Sequence, residues 1–357
     1  MEGNALKSRI ALDRYVYEDI YPAFKATTDE KDITARINSA FLNYLAQRKV
    51  TLSGDSAALV ADIGCGPCDT LIKYLTGVNF APGFILRATD FLPAYADAER
   101  GEALQRLAAA QTSGIIKVES FAARAGDAFG GKLLDLLTGP HDGSSMRNAF
   151  RVVFASHVMY HADGPAQVRR FVEDVANHLL SRDGVCIMYH IANAPRTFQD
   201  FRARFGSEAG KTRDSDTGAV SIDDPPAQIA EACAAAGAPI YQAPFITRLF
   251  FSALGDAEWR AFKDPHSYDA LADSNPAAYE DLKRLYFIVQ RAPLEFAADH
   301  SRSGLATYVD EARGVIDGNR GMLPSSERMQ VFSRADAPPN LARVISEAIA
   351  AAMASLA

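Results

Sequence analysis

From residue 58 onward, short apolar runs alternate with longer stretches of helical spacing. Ala58–Asp62, Phe84–Thr89, Ile115–Glu119, Val152–Ser156 and Gly184–Ile191 read as strands, and about 69–78, 93–110 and 165–181 read as helices. Alternation of this kind predicts an α/β fold, a Rossmann-like parallel sheet with helices on both faces. Before it, residues 6–48 carry aromatic and charged side chains at helical spacing and predict two or three helices. Thr27-Thr28-Asp29-Glu30 punctuates them with a Thr-x-x-Glu pattern, which predicts a capped helix running to about Arg48.

Beyond residue 195 the alternation loosens. Asp223-Asp224-Pro225-Pro226, followed by an alanine-rich run ending at Gly237, predicts a helix with acid and proline at its start and glycine at its end. Pro239–Arg248 reads as a strand, and Arg328–Ser333 could close the sheet. Residues 255–313 predict a helical insertion carrying Trp259, Tyr268, Tyr279, Tyr286 and Phe287, and Asn340–Ala357 predicts a final alanine-rich helix. No internal repeat or long low-complexity linker interrupts the chain. The expected organisation is a helical cap over 1–50 and a sheet domain over 51–357, with substrate-side insertions at about 196–222 and 255–313.

Composition narrows the classes. The 357 residues are 48% hydrophobic and 23% charged, the balance of a globular protein. Lys and Arg number 37 against 44 Asp and Glu, a net charge of −7, which disfavours nucleic acid or an anionic membrane as partner. No run of about 18 apolar residues exists to span a bilayer, and Met1–Asn4 opens with an acid and no apolar stretch. A cytoplasmic protein acting on a small molecule is expected, with the oligomeric state open. Of the four cysteines, Cys65 and Cys68 form a C-x-x-C, while Cys186 and Cys233 stand apart. A redox pair or half a zinc site are the sharp readings of that spacing, but no second C-x-x-C or close His pair completes a four-ligand set, so no metal is expected.

The most informative segment is Ala61-Asp62-Ile63-Gly64-Cys65-Gly66-Pro67-Cys68-Asp69, which leaves a strand and enters a helix. Asp62 sits two positions before the first glycine. Asp90 ends the next strand, where a carboxylate suits a ribose diol. A dinucleotide would need its pyrophosphate on the helix N-terminus, and Asp69 at the third position of the pattern would repel it. S-adenosylmethionine (SAM) carries cations and no phosphate, so it tolerates these acids. The run Asp62–Pro67 resembles motif I of the class I SAM-dependent methyltransferases, with Cys68 where that family usually places another glycine.

The resemblance implies further cofactor contacts. Gly126-Asp127-Ala128-Phe129 follows the third strand where the family recognises adenine, with Asp127 accepting the amino group and Phe129 covering the ring. Phe91, next to Asp90, belongs to the same set. Ser156-His157-Val158-Met159-Tyr160-His161 follows the fourth strand, placing Ser156 and His157 near the methionine part of SAM and Tyr160 near the reacting atoms.

More narrowly, the chain resembles the histamine N-methyltransferase type of small-amine enzyme. Its cap presents aromatics four and three residues apart, then a glutamate six residues on. Tyr17, Tyr21, Phe24 and Glu30 reproduce that spacing, and 156–207 reproduces the later region, with Phe198 and Arg202 where the family has tryptophans. The resemblance implies transfer of a methyl group to the nitrogen of a small amine held by Tyr17, Tyr21, Phe24, Glu30, Tyr160 and Phe198. Ring faces attract cations, but i, i+4, i+7 spacing equally packs a helix on a core, and Glu30 equally fits the N3 acid of the capping box. His157 and His161 could take the proton released, since imidazole titrates near neutrality; each could instead make only a structural hydrogen bond. A SAM-consuming cyclase or lyase, or transfer to oxygen, carbon or sulfur, remains open on the same fold, as does a SAM-binding protein without turnover.

Overall fold

The computed structural model describes residues 9–97, 99–131, 133–138, 146–206 and 225–356, with the side chains of Tyr17, Glu18 and Tyr160 outside that set. Of the insertion expected at 196–222, residues 207–222 lie outside the described residues, as do Asp223 and Asp224. The chain divides into two compact units. One comprises 31–191, 218–245 and 327–357, and the other 1–30, 192–217 and 246–326.

The first unit holds the sheet. Its strands are β1 (Ala58–Ile63), β2 (Phe84–Asp90), β3 (Val118–Ala125), β4 (Phe150–Ser156), β5 (Leu180–Ile191), β6 (Ile240–Phe250) and β7 (Met322–Ser333), in spatial order β3-β2-β1-β4-β5-β7-β6. The last two strands run on beyond this unit's boundary in the sequence. β1 to β5 pair in parallel, and β7 joins β5 antiparallel, so the sheet is mixed rather than wholly parallel.

Alternation along the strands fixes the two layers around it. Val60, Leu86, Val152, Phe154, Ile187, Met329 and Val331 face one core, which is completed by α2 (Glu30–Gln47), α3 (Asp69–Leu75), α5 (Glu102–Thr112) and α15 (Pro339–Ala354). Ala61, Ile63, Val153, Ala155, Cys186 and Met188 face the other, against α6 (Leu133–Thr138), α7 (Pro165–Asp174) and α9 (Pro225–Ala236). Burial on both faces is why these strands read as unbroken apolar runs. Together the strand order and the two helical layers make the fold Rossmann-like.

Several boundaries differ from the sequence reading. The stretch at 93–110 is two helices, α4 (Pro93–Ala96) and α5, and β3 begins three residues later than the apolar run suggested. The helix expected over 165–181 ends at Asp174, passes through a π-turn at Val175–Leu179, and gives way to strand already at Leu180. The expected cap is also divided. In α2, Ile37, Phe41, Leu42 and Leu45 are completely buried in the sheet unit's core. At about 1.5–3 kcal/mol for each large apolar side chain buried, that helix is part of the core and not a detachable lid.

The second unit is helical, built from α1 (Tyr17–Lys25), α8 (Phe198–Phe205), α10 (Asp256–Ala261), α11 (Tyr268–Ser274), α12 (Pro276–Val289), α13 (Pro293–Ala298) and α14 (Leu305–Gly318). Its buried tyrosines find hydrogen-bond partners, as phenols removed from water must. Tyr268 Oη meets Tyr286 Oη at 2.7 Å, and Tyr308 Oη donates to the Leu285 carbonyl at 2.8 Å.

The turn between α1 and α2 does not form the expected box. Thr27 Oγ1 instead donates back to the Ala23 carbonyl at 2.9 Å, and the Thr28 hydroxyl accepts from the Glu30 N–H at 3.2 Å. Glu30 is therefore the first residue of α2 and not its N3 acid. The shift follows from pairing with the far end of β6: Asp29 N–H donates to the Arg248 carbonyl at 3.1 Å, Arg248 N–H returns a bond to Asp29 Oδ1 at 2.6 Å, and Thr28 bridges Leu249. No helix among the described residues is long and apolar enough to cross a membrane.

Candidate active site

In the sheet unit the strand order reverses between β1 and β4, and ligands of open α/β sheets bind outside the carboxyl ends of strands at such a point. The glycine loop leaves β1 there. Gly64 and Gly66 have φ of +72° and +51°, a region costly for other residues. A Cβ at Gly64 would collide with Val158 Cγ1, so this glycine lets the turn after β4 close onto the loop. Cys68, where the methyltransferase pattern has a further glycine, itself adopts the left-handed conformation, φ +63°, immediately before α3. The backbone there takes a conformation that glycine adopts freely, although the residue is a cysteine.

Two carboxylates flank the loop. Asp90 Oδ2 accepts the Gly66 N–H at 2.9 Å, and its Oδ1 accepts the Leu92 N–H at 3.0 Å. Each oxygen keeps lone-pair capacity for a further donor, so Asp90 suits a diol while it holds the loop. Asp62 is buried; burial pushes its carboxyl up to about 8, the charge of Lys31 draws it back down, and Asp90 adds to the rise. Lys31, on α2, escaped the sequence reading because only the fold brings it into range.

Cys65 and Cys68 are buried free thiols. Cys65 Sγ lies 3.2 Å from the Gly66 carbonyl, and its thiol is held well above the ordinary range by its contact with Cys68, by burial and by nearby acids. No cluster of His, Cys, Asp and Glu suited to a metal occurs among the described residues.

Of the expected adenine-side residues, Phe91 is 45% exposed, with its ring centroid 5.4 Å from that of His161. Gly126 N–H donates to the Asp90 carbonyl at 2.9 Å, and a Cβ there would strike Leu136. Asp127 is exposed and its Oδ1 accepts the Phe129 N–H at 2.8 Å, closing the turn that carries Ala128. Phe129 does not lie open for a ring: it is buried in the core, 5.6 Å from Phe171. The run after β3 alternates toward that core, and an aromatic there gains more from burial than from a solvent-facing position.

After β4, Ser156 Oγ lies 3.1 Å from the Tyr74 hydroxyl. His157 continues the ladder, its N–H donating to the Tyr189 carbonyl at 2.9 Å, although its φ is +56°. Its Nε2 lies 3.9 Å from Glu327 Oε2, and its ring stands edge-on to His190 at 6.4 Å. Tyr160 lies in the short 3₁₀ turn Met159–His161, and its side chain lies outside the described residues. Glu327 and His190 were missed by the sequence reading. The available signal is period-two alternation through Glu327, Met329 and Val331, which places the acid in a buried row; the expected strand starts at Arg328, six residues later than β7 does, and so excludes the acid.

The helical unit gathers the expected aromatic residues. Phe24 stacks on Phe287 with centroids 4.1 Å apart, and lies 6.2 Å from Tyr21 and 5.8 Å from Phe198. Tyr21 and Phe198 also approach Phe287, at 5.7 and 6.0 Å. Phe287, which the sequence places only within a helical insertion, is the ring on which all three meet. Tyr17 begins α1, with its side chain outside the described residues. Glu30 is buried, at 7% exposure. Arg202 donates to Gln290 Oε1 at 2.7 Å.

No family profile and no curated protein matches this sequence. Among solved structures the chain is similar to the YcgJ protein of Bacillus subtilis, with 16% identity over 82% of this chain and 98% of that one and a TM-score of 0.41. It is similar to a SAM-dependent methyltransferase of Methanosarcina mazei, with 14% identity over 53% and 84% and a TM-score of 0.37. Phosphoethanolamine N-methyltransferase 2 of Haemonchus contortus, solved with SAM, shows 13% identity over 82% and 52% and a TM-score of 0.35. Likeness at this level carries no activity over to the present chain, whose Rossmann-like fold stands on its own strand order and helical layers.

Proposed function

We propose that this chain is a SAM-dependent methyltransferase acting on a nitrogen of a small amine-containing metabolite. The observation that carries the cofactor is the loop after β1, where Gly64, Gly66 and Cys68 all take left-handed conformations and Asp90 holds the Gly66 N–H. Acids at positions 69 and 90 around this loop suit a cation-bearing nucleoside and oppose a pyrophosphate. SAM, when bound, supplies an electrophilic methyl group on a sulfonium.

The roles assigned to the protein follow from the residues. Asp90 accepts the ribose hydroxyls, and Asp62, Gly64, Cys65 and Gly66 line the approach to the loop. Phe91, Gly126, Asp127 and Ala128 serve the adenine side. Ser156 and His157, at the switch point, face the methionine side, and Tyr160 and His161 follow in the same turn. The amine class is supported by the ring cluster of Tyr21, Phe24 and Phe198, since aromatic faces stabilise cations by about 0.5–2 kcal/mol each. Glu30 is the proposed amine anchor, with Tyr17 beside the rings in sequence. Catalysis then depends mainly on orienting the nitrogen lone pair and excluding water.

The test is incubation of the protein with SAM and a pool of small primary and secondary amines, with both products identified by mass spectrometry. S-adenosylhomocysteine together with an N-methylated amine is expected. Methylthioadenosine would establish a cyclase or lyase instead, and an O-, C- or S-methylated product would move the acceptor atom. Failure to bind SAM would overturn the reading.

A further inference from the structure

Along β7, Val331, Met329 and Glu327 stand opposite Ile187, Tyr189 and Ile191 of β5, on the face that packs into the sheet core. The first two of that row are apolar; the third is a glutamate only 1% exposed. A carboxylate removed from water costs several kcal/mol unless it is paired, so a residue placed there needs a partner.

His157 lies within reach, with Nε2 3.9 Å from Glu327 Oε2 and a side chain only 13% exposed. Its φ of +56° is a conformation that a bulky side chain adopts only where its surroundings hold it. Charged and titratable groups toward the carboxyl ends of the parallel strands, on the facing stretch of β7 and in the turn are Tyr189 and His190 on β5, Glu327 and Arg328 on β7, Asp62 on β1, and His161 and Asp163 beyond β4. Arg328 is engaged by Gln242 at 3.1 Å. Burial, and then the neighbouring His157, hold the His190 imidazole well below its usual range, so His190 stays neutral near pH 7. Of this histidine pair, His157 is the one that stands within ion-pair distance of a carboxylate among the described residues.

We propose that Glu327 is a positioning residue for His157, fixing the imidazole as the proton acceptor of the site. The inference rests on the methyl-transfer reading above. A primary or secondary amine that has gained a methyl group carries one proton too many. That proton moves from the amine nitrogen to the His157 imidazole, the N–H bonding electrons stay on the amine nitrogen, and the ionised Glu327 faces the imidazolium so formed. Glu327 neither gains nor loses a proton in this step, and the imidazolium returns its proton to solvent.

Two measurements test the pairing. In protein labelled with ¹³C-histidine, the His157 resonance is assigned by its loss in His157→Gln and titrated by NMR. Glu327→Gln should lower the His157 pKa by at least about one unit, a tenfold change in proton affinity. Turnover of radiolabelled SAM with the amine pool should fall at least tenfold in kcat with KM within about twofold. The acid limb of the kcat profile should move to lower pH by the same unit, because an imidazole that has lost the facing carboxylate sheds its proton more easily. Glu327→Asp should recover part of the rate and of the titration shift, and serves as the probe if Glu327→Gln fails to fold. An unmoved His157 titration, or an unmoved kcat and pH limb, would overturn the proposal. Wild-type protein that binds no SAM by calorimetry would overturn the methyl-transfer reading instead, while the titration would still decide whether Glu327 governs His157.

Discussion

Asp90 Oδ2 accepts the Gly66 N–H at 2.9 Å, so the acid that ends β2 also holds the glycine loop that follows β1. One side chain thus has two tasks, which separate by substitution. Asp90→Ala leaves the Gly66 and Leu92 donors without their acceptor and removes the diol contact. It should weaken SAM binding by about 1–3 kcal/mol and also lower Tm. Asp90→Asn keeps one carbonyl oxygen and should lose less of both. Calorimetry with SAM and a thermal melt on each variant check this; unchanged affinity in Asp90→Ala would remove Asp90 from the cofactor set.

Asp62 gives a pH signature. Its carboxyl is pushed up to about 8 in the folded chain, chiefly by burial and against the pull of Lys31, whereas an unfolded aspartate titrates near 3.9. Between those values the folded state binds more protons, so stability falls as pH rises through the window and levels off above it. Below about pH 4 the residue is protonated in both states and imposes no penalty. Asp62→Asn should therefore gain on the wild type by more than about 1 kcal/mol at pH 8, and the difference should narrow at pH 5. Chemical denaturation of both proteins at the two pH values measures it. A difference that widened toward low pH would show that Asp62 is ionised and favourably paired.

The cysteine pair should behave as core thiols. Cys65, Cys68, Cys186 and Cys233 are all buried, and burial raises the Cys186 and Cys233 thiols as well. In the folded protein they should react with a disulfide reagent at pH 8 far more slowly than after urea is added, since the thiolate is the reactive species. Cys65→Ala with Cys68→Ala should fold and bind SAM without added metal. Stoichiometric zinc in the wild type, lost together with activity in that double variant, would reverse this view.

Glu30 and Thr28 separate capping from substrate binding. Because the Thr28 hydroxyl accepts the Glu30 N–H, Thr28→Val should cost about 1 kcal/mol of stability and leave KM for an amine unchanged. Glu30→Gln should raise KM for a cationic amine by the loss of a charge-assisted contact, about 1.5–3 kcal/mol, with little change in Tm. Steady-state kinetics and melts on the two variants decide the matter. If Glu30→Gln leaves KM intact, the residue is no amine anchor.

The α2 helix gives the plainest stability test. Phe41 is completely buried in the sheet unit's core, so Phe41→Ala should cost about 3–5 kcal/mol. SAM binding should then be lost in proportion to unfolding, and a variant that melts like the wild type would place α2 outside the core.

The strand–helix alternation, the apolar rows of β1, β4 and β5 and the loop of Gly64 and Gly66 were legible in the chain itself. They depend on neighbours within a few residues, where periodicity and glycine's backbone freedom write directly into the sequence. The aromatic spacing of Tyr21 and Phe24 was equally visible, although the sequence left a packing role and a binding role alike. Tertiary structure decided what depends on distant partners. It moved the start of α2 to Glu30 because residues 27–29 pair with β6, more than two hundred residues away. It inserted β7 between β5 and β6, and so brought Glu327 to His157. It also set Phe287 against Phe24. No local pattern encodes such meetings, because each is fixed by the closing of the sheet or of the helical unit as a whole and not by the residues on either side.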